Sequence, residues 1–302
     1  MNKIYQVINH ITQEIEPACQ SSALATNYAW WMLEALTQKN KAHLITQSEI
    51  TLTKKQQALL DFWIDQHVNH HKPLAYLLGS VPFSSLTILV EPPILIPRPE
   101  TEQWCLELIE TLSEFADHTL TILDLCTGSG CIALALAQAF PHFTVWGIDK
   151  SVQAIALAKK NASYNAIHNA HFLVSDLFEE LTNKTFDLII ANPPYIAFSE
   201  LPELDVSVTK WEDKDALFAN DNGLSVIKKI ITKAPDYLNK QSVLVEKKIP
   251  QVWIEIGYKQ KNLVVEFMKT AQYSDIQVFK DLSQKERVVA GSVSDVATAP
   301  DK

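Results

Sequence analysis

The sequence predicts a doubly wound α/β sheet preceded by a small helical bundle. From about residue 98 onward, short apolar β-type runs alternate with helical segments, the order typical of a mainly parallel sheet covered on both faces. Before that point, apolar residues recur only at helical spacing. A glycine turn joins one of the predicted strands directly to a helix. We therefore expect an α/β domain over residues 98–294 and a helical domain over residues 1–73.

The helical domain is predicted from the spacing of Ile4, Ile8, Ile11 and Ile15, which lie on one face of a helix. Residues 74–97 contain prolines and the β-type run 86–90, so we expect a hairpin-bearing linker there. The end of the chain, residues 295–302, is small and polar and is predicted to be disordered.

Composition excludes several classes of protein. With 302 residues and 47% hydrophobic content, the chain can bury a full core in two domains. A net charge of −9 argues against nonspecific DNA binding, and we expect no stable nucleic-acid partner. No apolar run reaches about 18 residues and the start lacks a signal core, so we expect no membrane partner and a cytoplasmic location. The four cysteines lack paired spacing and are predicted to be reduced thiols.

The glycine turn follows a predicted buried strand over residues 120–126. Its sequence is Thr127-Gly128-Ser129-Gly130-Cys131, and an alanine-rich helix begins at once. Glycines at such a turn let the backbone approach a ligand closely. The next predicted strand ends at Asp149, about twenty residues further on, where folds of this type hold a ribose diol.

The same turn lacks the signatures of phosphate-bearing ligands. It has no Gly-Lys-Ser/Thr, and the dinucleotide pattern Gly-x-Gly-x-x-Gly fails at its last position, which is Ala133. S-adenosylmethionine is a nucleoside without phosphate and fits better, with the turn against its amino-acid part, Asp149 on the ribose, and Asp176 with Leu177 beside the adenine. A dinucleotide oxidoreductase remains the less favoured alternative.

A second motif ends the apolar run 186–191. It reads Asn192-Pro193-Pro194-Tyr195, and we call residues 192–195 the lip. Prolines cannot donate to a sheet, so the strand must stop there in a rigid extended segment. The Asn192 side-chain oxygen and the Pro193 carbonyl can accept the two hydrogens of an NH2 group, while the Tyr195 ring offers a flat face. The alternative interpretation is a proline-rich turn that only ends a strand.

Together these motifs resemble the HemK/PrmC family of protein-(glutamine-N5) methyltransferases, which modify peptide chain release factors. The resemblance covers most of the chain and is carried by residues 73–79, 82–83, 95–102, the glycine turn, Asp149, the lip, residues 255–257 with Gln260, and residues 281–282 with 285–289. The sister family that acts on a glutamine of a large-subunit ribosomal protein usually lacks the segment Pro-Arg-Pro-Glu-Thr-Glu at residues 97–102. That segment therefore favours release factors.

The resemblance implies a seven-stranded methyltransferase (Rossmann-like) sheet, a helical domain that recognises the substrate, and methyl transfer from S-adenosylmethionine to the glutamine of a Gly-Gly-Gln motif, with S-adenosylhomocysteine as product. It implies no metal. The catalytic residues it implies are Asn192, Pro193, Pro194 and Tyr195. The implied cofactor-binding residues are Thr127, Gly128, Ser129, Gly130, Cys131, Asp149, Asp176, Leu177 and Asn192.

The sequence departs from the family pattern at several positions. Residues 211–217 lack the proline that usually follows the glutamate, and residues 219–223 are less glycine-rich than usual. Cys126 occupies a place where glycine is most common, Leu177 one where an aromatic residue is common, and residues 239–250 form a longer insertion without a functional explanation.

Other interpretations stay open. An adenine-N6 methyltransferase uses the same lip, although neither a target-recognition domain nor a basic band is evident. A non-catalytic assembly factor that keeps the fold as a scaffold is another. His67, His70 and His71 have metal-like spacing, but no acidic or thiol ligand lies at a matching interval, so a structural role is favoured.

Overall fold

The computed structural model describes residues 2–47 and 49–293; the predicted disordered tail, residues 295–302, lies outside the described residues. The helices are α1 (Ile4–Ile15), α2 (Ser22–Thr37), α3 (Lys41–Thr46), α4 (Lys54–Val68), α5 (Leu74–Leu78), α6 (Pro99–Leu112), α7 (Cys131–Ala139), α8 (Val152–Tyr164), α9 (Val206–Trp211), α10 (Lys214–Leu217), α11 (Ser225–Lys233), α12 (Val243–Glu246) and α13 (Lys261–Thr270). The strands are β1 (Asn2–Lys3), β2 (Glu49–Ile50), β3 (Ser80–Phe83), β4 (Leu86–Leu89), β5 (Thr121–Leu125), β6 (Thr144–Asp149), β7 (Ala170–Val174), β8 (Leu188–Ala191), β9 (Val252–Glu255), β10 (Tyr273–Lys280) and β11 (Glu286–Val293). Short 3-10 helices span Glu16–Ala18, Ser113–Phe115, Phe198–Glu203 and Ala234–Tyr237.

One compact unit is helical and comprises Met1–Ser80 with Asp205–Trp211. Its core contains fully buried residues at the helical spacing seen in the sequence, including Ile11, Ile15, Met32, Leu33 and Leu44. The expectation of helical structure alone was wrong at one place, because β1 and β2 pair antiparallel. Strands of two residues are too short to show a period in the sequence.

Asp205–Trp211 joins the helical unit although it follows the lip in the chain. The indole Nε1 of Trp211 donates to the carbonyl oxygen of His70 at 3.1 Å, and Nζ of Lys72 lies 4.9 Å from a ring centroid of Trp211. Helix α9 has six residues, too few for its pattern to indicate this packing from the sequence.

The second unit comprises Val81–Leu204 and Glu212–Lys302 and contains the seven-stranded sheet, in the order β10-β11-β9-β8-β5-β6-β7. β9, β8, β5, β6 and β7 are parallel, whereas β11 pairs antiparallel with both β9 and β10. Every residue of β8 is buried, as expected for a parallel strand covered on both faces. The predicted fold class is confirmed.

The strand order reverses at β5, which pairs with β6 on one side and β8 on the other. Connections that leave the sheet on opposite sides of such a point open a crevice at the carboxyl ends of the strands. The glycine turn, Asp149, the lip and Glu255 all lie at this edge, because they end or follow β5, β6, β8 and β9.

The insertion at residues 239–250 lies at the opposite edge, since it leads into the amino end of β9. It forms α12 and buries Leu244 completely. Nδ2 of Asn239 donates to Oδ1 of Asp187 at 2.9 Å, and Nε2 of Gln251 donates to the Asn239 carbonyl at 3.0 Å. These contacts give the insertion a structural role in covering the end of the sheet away from the site.

The cysteines Cys19, Cys105, Cys126 and Cys131 are free thiols, as expected. Within residues 2–47 and 49–293, no helix has both the length and the apolarity needed to cross a membrane.

Candidate active site

A cavity opens at the carboxyl edge of the sheet, within the α/β unit. Its lining residues come from strand ends and from the segments around them: Ile94, Leu95, Cys126, Gly128, Ile148, Asp149, Lys150, Ser151, Ala154, Ser175, Asp176, Leu177, Asn192, Pro194, Asp213, Asp215, Ala216 and Val226. Six of the predicted site residues are therefore brought together here: Gly128, Asp149, Asp176, Leu177, Asn192 and Pro194.

The glycine turn has the backbone that its sequence predicts. Gly128 and Gly130 have positive φ angles of +54° and +82°, a region that favours glycine. A Cβ at Gly130 would lie 3.0 Å from Cβ of Ala158 and 3.2 Å from the Phe172 ring, whereas a Cβ at Gly128 would meet nothing within 4 Å. Gly130 is thus needed for packing, and Gly128 leaves open backbone towards the cavity.

The remaining predicted turn residues support the turn from beneath. Thr127, Ser129 and Cys131 are buried, and they are not among the residues that line the cavity in the described part of the chain. The Thr127 N–H donates to the Ile148 carbonyl at 2.9 Å, and the Ser129 carbonyl accepts from Nδ2 of Asn161 at 2.9 Å. Their predicted contact with the cofactor stays a prediction, while their structural role is clear.

Asp149 connects the turn to the cavity. Its Oδ2 accepts the N–H of Gly128 at 3.0 Å, and its Oδ1 accepts the N–H of Ser151 at 2.9 Å. Burial raises the pKa of this carboxyl, while the two backbone N–H groups act in the opposite direction. Each carboxylate oxygen keeps a lone pair for a further donor, so Asp149 can bind a diol while holding the turn.

Asp124 lies under the same turn and was not identified from the sequence. Oδ2 of Asp124 accepts two hydrogen bonds, one from the Thr127 hydroxyl at 2.5 Å and one from the Ala133 N–H at 3.3 Å. Oδ1 has no hydrogen-bond partner among the described residues. Burial raises the pKa of Asp124 to about 7. The sequence feature that could have indicated its role is a single acidic residue inside the apolar strand β5.

The backbone conformation at Cys126 explains why glycine is common at this position in the family. Its φ is +58°, the left-handed region in which glycine is favoured, and it lines the cavity. Burial raises the pKa of its thiol well above the ordinary value, so the side chain is a neutral group against any bound ligand.

The lip is held by side chains behind it. Nδ2 of Asn192 donates to Oγ1 of Thr101 at 3.2 Å, and the Tyr195 hydroxyl donates to Oε1 of Glu255 at 3.1 Å. Asn192 and Pro194 line the cavity, whereas Pro193 is buried. The Tyr195 ring is therefore anchored at its hydroxyl end, and its predicted packing against a planar substrate group stays a prediction.

Glu255 is the charged group on which this support converges. Besides Tyr195, the Thr101 hydroxyl and the Trp104 indole N–H both donate to its Oε2 at 2.7 Å. The side chain is buried, which raises its pKa, and the three hydrogen bonds oppose that shift. Sequence reasoning missed the roles of Thr101 and Glu255. The sequence feature that could have indicated the role of Glu255 is a single acidic residue at the end of the apolar strand β9.

The backbone of the lip is fixed by a second group of residues. Nε2 of Gln260 donates to the Tyr195 carbonyl at 2.8 Å and to the Asn222 carbonyl at 3.2 Å. Gly223 packs against the same carbonyl, and a Cβ at Gly223 would lie 2.0 Å from the Tyr195 oxygen. Its φ of +83° also favours glycine. The sequence offered no sign that this glycine lies behind the lip.

An ion pair between the buried carboxylate of Glu212 and the partly exposed guanidinium of Arg98 fixes the start of the segment that brings Asp213 and Asp215 to the cavity. Nη2 of Arg98 donates to Oε2 of Glu212 at 2.5 Å, and the N–H of Asp213 donates to the Pro93 carbonyl at 2.8 Å. Burial raises the pKa of Glu212, and Arg98 acts against that shift. The pair therefore fixes Glu212, which directly precedes the cavity-lining residue Asp213.

His67, in the helical unit, makes structural contacts. Its Nδ1 lies 2.9 Å from the Lys72 carbonyl, and its Nε2 lies 3.8 Å from Sγ of Cys19. In the part of the chain that the structure describes, no three His, Cys, Asp or Glu side chains are placed to hold a metal ion.

Comparison with known proteins supplies the family. Residues 6–79 match the PrmC N-terminal domain, and residues 105–206 match the methyltransferase small domain. The release factor glutamine methyltransferase of Coxiella burnetii is 33% identical over 96% of this chain and 98% of its own length. Those of Escherichia coli and Thermodesulfovibrio yellowstonii are 33% and 34% identical over 93% and 83% of this chain, covering 97% and 86% of their own lengths.

The chain belongs to the release factor glutamine methyltransferase family. Among solved structures, the catalytic domain of hMettl16 in complex with the MAT2A 3'UTR hairpin 6 is similar, with a TM-score of 0.51 and 15% identity over 84% of this chain and 87% of that one. At that identity the likeness supports the methyltransferase fold alone.

The cofactor of these methyltransferases is S-adenosylmethionine, and the cavity fits it. Carboxylates of Asp149, Asp176, Asp213 and Asp215 line the cavity together with one lysine, Lys150, whose Nζ lies 2.7 Å from Oδ2 of Asp215. A cavity rich in carboxylates favours a ligand that carries a sulfonium and an ammonium group and disfavours phosphates. The open backbone at Gly128 and the hydrogen-bonded carboxylate of Asp149 complete the donor and acceptor set expected for an amino-acid part and a ribose.

Proposed function

We propose that this protein transfers a methyl group from S-adenosylmethionine to the side-chain amide nitrogen of a glutamine in peptide chain release factors, and so acts in translation termination. One observation carries the proposal. Asn192 lines the cofactor cavity, and its NH2 group donates to the Thr101 hydroxyl oxygen, so its side-chain oxygen is left to accept from an incoming NH2 group.

The lip supplies the two acceptors that the reaction needs. An amide nitrogen is a poor nucleophile, because its lone pair is delocalised into the carbonyl. Oδ1 of Asn192 and the carbonyl of Pro193 accept the two amide hydrogens, which orients the nitrogen and stabilises the positive charge that develops on it. Bound in the cavity, S-adenosylmethionine supplies an electrophilic methyl group on sulfur.

A general base is not required from this site. The N-methylated amide cation is a strong acid and loses its proton to water after transfer. Glu255 is unsuited to act as a base, because its oxygens already accept hydrogen bonds from Thr101, Trp104 and Tyr195. The buried carboxylate is a support for the lip.

In the same proposal, residues 1–73 recognise the release factor, residues 74–97 are the linker, residues 98–294 carry out the transfer, and the reaction takes place in the cytoplasm. The helical unit supports this division, because aromatic side chains are about half exposed there: Tyr5 at 55%, Trp31 at 49% and Phe62 at 52%. Exposed aromatic residues are favoured anchors in protein interfaces.

The test is to incubate the protein with methyl-labelled S-adenosylmethionine and, in parallel, with purified release factor, the large-subunit ribosomal protein and adenine-rich DNA. Mass spectrometry then locates the label. We expect one methyl group on the glutamine of the Gly-Gly-Gln motif in the release factor. Label in the ribosomal protein or in the DNA, without label in the release factor, would refute the proposal.

A further inference from the structure

We infer that Glu255 and Thr101 determine which end of the Asn192 side-chain amide faces the substrate. Both are positioning residues, and the inference rests on the proposed function. It assigns them a role in the methyl transfer itself, beyond holding helix α6 against the sheet.

The direction of the hydrogen bonds follows from the groups involved. A carboxylate can only accept, so the one hydroxyl hydrogen of Thr101 is directed to Oε2 of Glu255, at 2.7 Å. The Thr101 oxygen then presents a lone pair to Asn192, at 3.2 Å. Only the NH2 end of the Asn192 amide can donate to that lone pair. Oδ1 therefore faces away from Thr101, as the proposed grip on the substrate NH2 group requires.

Without this chain of hydrogen bonds the amide would lack a fixed orientation. The terminal torsion of asparagine is soft and nearly two-fold, and the oxygen and NH2 ends are similar in size. The flipped side chain would present hydrogens to the hydrogens of the substrate. The lip backbone cannot prevent this, because its prolines restrain φ and leave the Asn192 side chain free to turn.

The surroundings of Glu255 suit such a role. Glu255 and Thr101 are each only 2% exposed, so water does not compete for their hydrogen bonds. Thr101 and Trp104 lie three residues apart on α6 and reach the same carboxylate oxygen. The other oxygen accepts from the Tyr195 hydroxyl. One buried carboxylate thus supports both the first and the last side chain of the lip.

The experiment measures single-turnover methyl transfer to release factor by wild type, Thr101→Val, Thr101→Ser and Thr111→Val. Valine keeps the shape of threonine but removes the hydroxyl, whereas serine keeps it. Thr111 is the matched control, because it lies on the same helix and, among the residues that the structure describes, its hydroxyl bonds only to the Glu107 carbonyl of that helix, at 2.8 Å. Calorimetry gives the cofactor dissociation constant, and circular dichroism checks folding.

We expect Thr101→Val to lower the transfer rate about tenfold or more, because the amide is no longer held in one orientation. The release-factor concentration that gives half of the maximal single-turnover rate and the cofactor dissociation constant should stay within about twofold, and Thr101→Ser should recover most of the rate. Thr111→Val should match wild type. A Thr101→Val rate equal to wild type, or a Thr101→Ser rate as low as that of valine, would overturn the inference. No transfer by wild type would refute the proposed function instead.

Glu255→Gln keeps the inference testable if Thr101→Val fails to fold. The glutamine carbonyl can still accept from Thr101 and Trp104, and the Tyr195 hydroxyl can turn to accept from the glutamine NH2 group. We therefore expect transfer within about tenfold of wild type. A rate as low as that of Asn192→Ala would show that the charge of Glu255 acts directly, and would contradict a role through Thr101.

Discussion

The backbone N–H of Gly128 donates a hydrogen bond of 3.0 Å to Oδ2 of Asp149. This contact ties the turn after β5 to the end of β6, the two elements that contribute Gly128 and Asp149 to the cavity. We propose that the same carboxylate has a second function. It fixes the glycine turn through this hydrogen bond, and its remaining lone pairs are available to a ribose diol.

Asp149→Ala should weaken binding of S-adenosylmethionine by about ten- to a hundred-fold, because charge-assisted hydrogen bonds contribute roughly 1.5–3 kcal/mol. Calorimetry measures the dissociation constant. Asp215→Ala is the control, since Asp215 lines the same cavity but is mainly exposed in its ion pair with Lys150. We expect the control to change the affinity less than about threefold. An unchanged dissociation constant for Asp149→Ala would remove Asp149 from the cofactor site.

Gly223→Ala should lower methyl transfer at least tenfold, because the added Cβ would lie 2.0 Å from the Tyr195 carbonyl and must displace the lip. Gly79→Ala is the matched control. Gly79 has the same φ of +83°, and a Cβ there would meet nothing within 4 Å. The control should lose about 1 kcal/mol of unfolding free energy and keep its transfer rate. Equal rates for the two variants would show that the contact of Gly223 with the lip is irrelevant to transfer.

Asp124→Asn should flatten the pH dependence of stability. Burial raises the pKa of Asp124 to about 7 in the folded protein, whereas the ordinary value is 3.8. The folded state thus holds a proton that the unfolded state releases, so this group contributes most stability below about pH 4 and loses it as the pH rises to about 7. The unfolding free energy of wild type minus that of Asp124→Asn should fall by up to roughly 4 kcal/mol over that range.

Urea unfolding of both proteins without cofactor, at several pH values between about 4.5 and 8, measures this difference. Unfolding free energies that change in parallel with pH would mean that Asp124 titrates normally and that its burial does not control its protonation.

The sequence predicted those features that depend on local patterns. The glycine turn, the strand that ends at Asp149 and the proline-terminated strand before the lip are each encoded within a few neighbouring residues. Parallel strands end at a common edge of the sheet, so assigning the strands was enough to predict that Asp149 and Asn192 lie at one cavity.

The support of the lip could not be predicted in the same way. Thr101 and Glu255 are 154 residues apart in the chain and meet only in the assembled fold. Gly223 is needed because of a close approach to Tyr195, which no local pattern encodes. Trp30 and Trp31 are neighbours on α2, yet Trp30 is 5% exposed and Trp31 is 49% exposed. Periodicity shows which face of a helix is apolar, but not how far that face is covered.

The most direct test of the proposed amide grip is single-turnover methyl transfer to release factor by wild type and Asn192→Ala, with saturating cofactor and with folding checked by circular dichroism. Asn192→Ala removes the side-chain oxygen that accepts one amide hydrogen. We expect the rate to fall about 10²–10³-fold, the usual effect of removing one preorganised hydrogen-bond partner, while cofactor affinity changes much less. Transfer by Asn192→Ala within a few-fold of wild type would contradict the grip, and residues 192–195 would then be no more than the end of a strand.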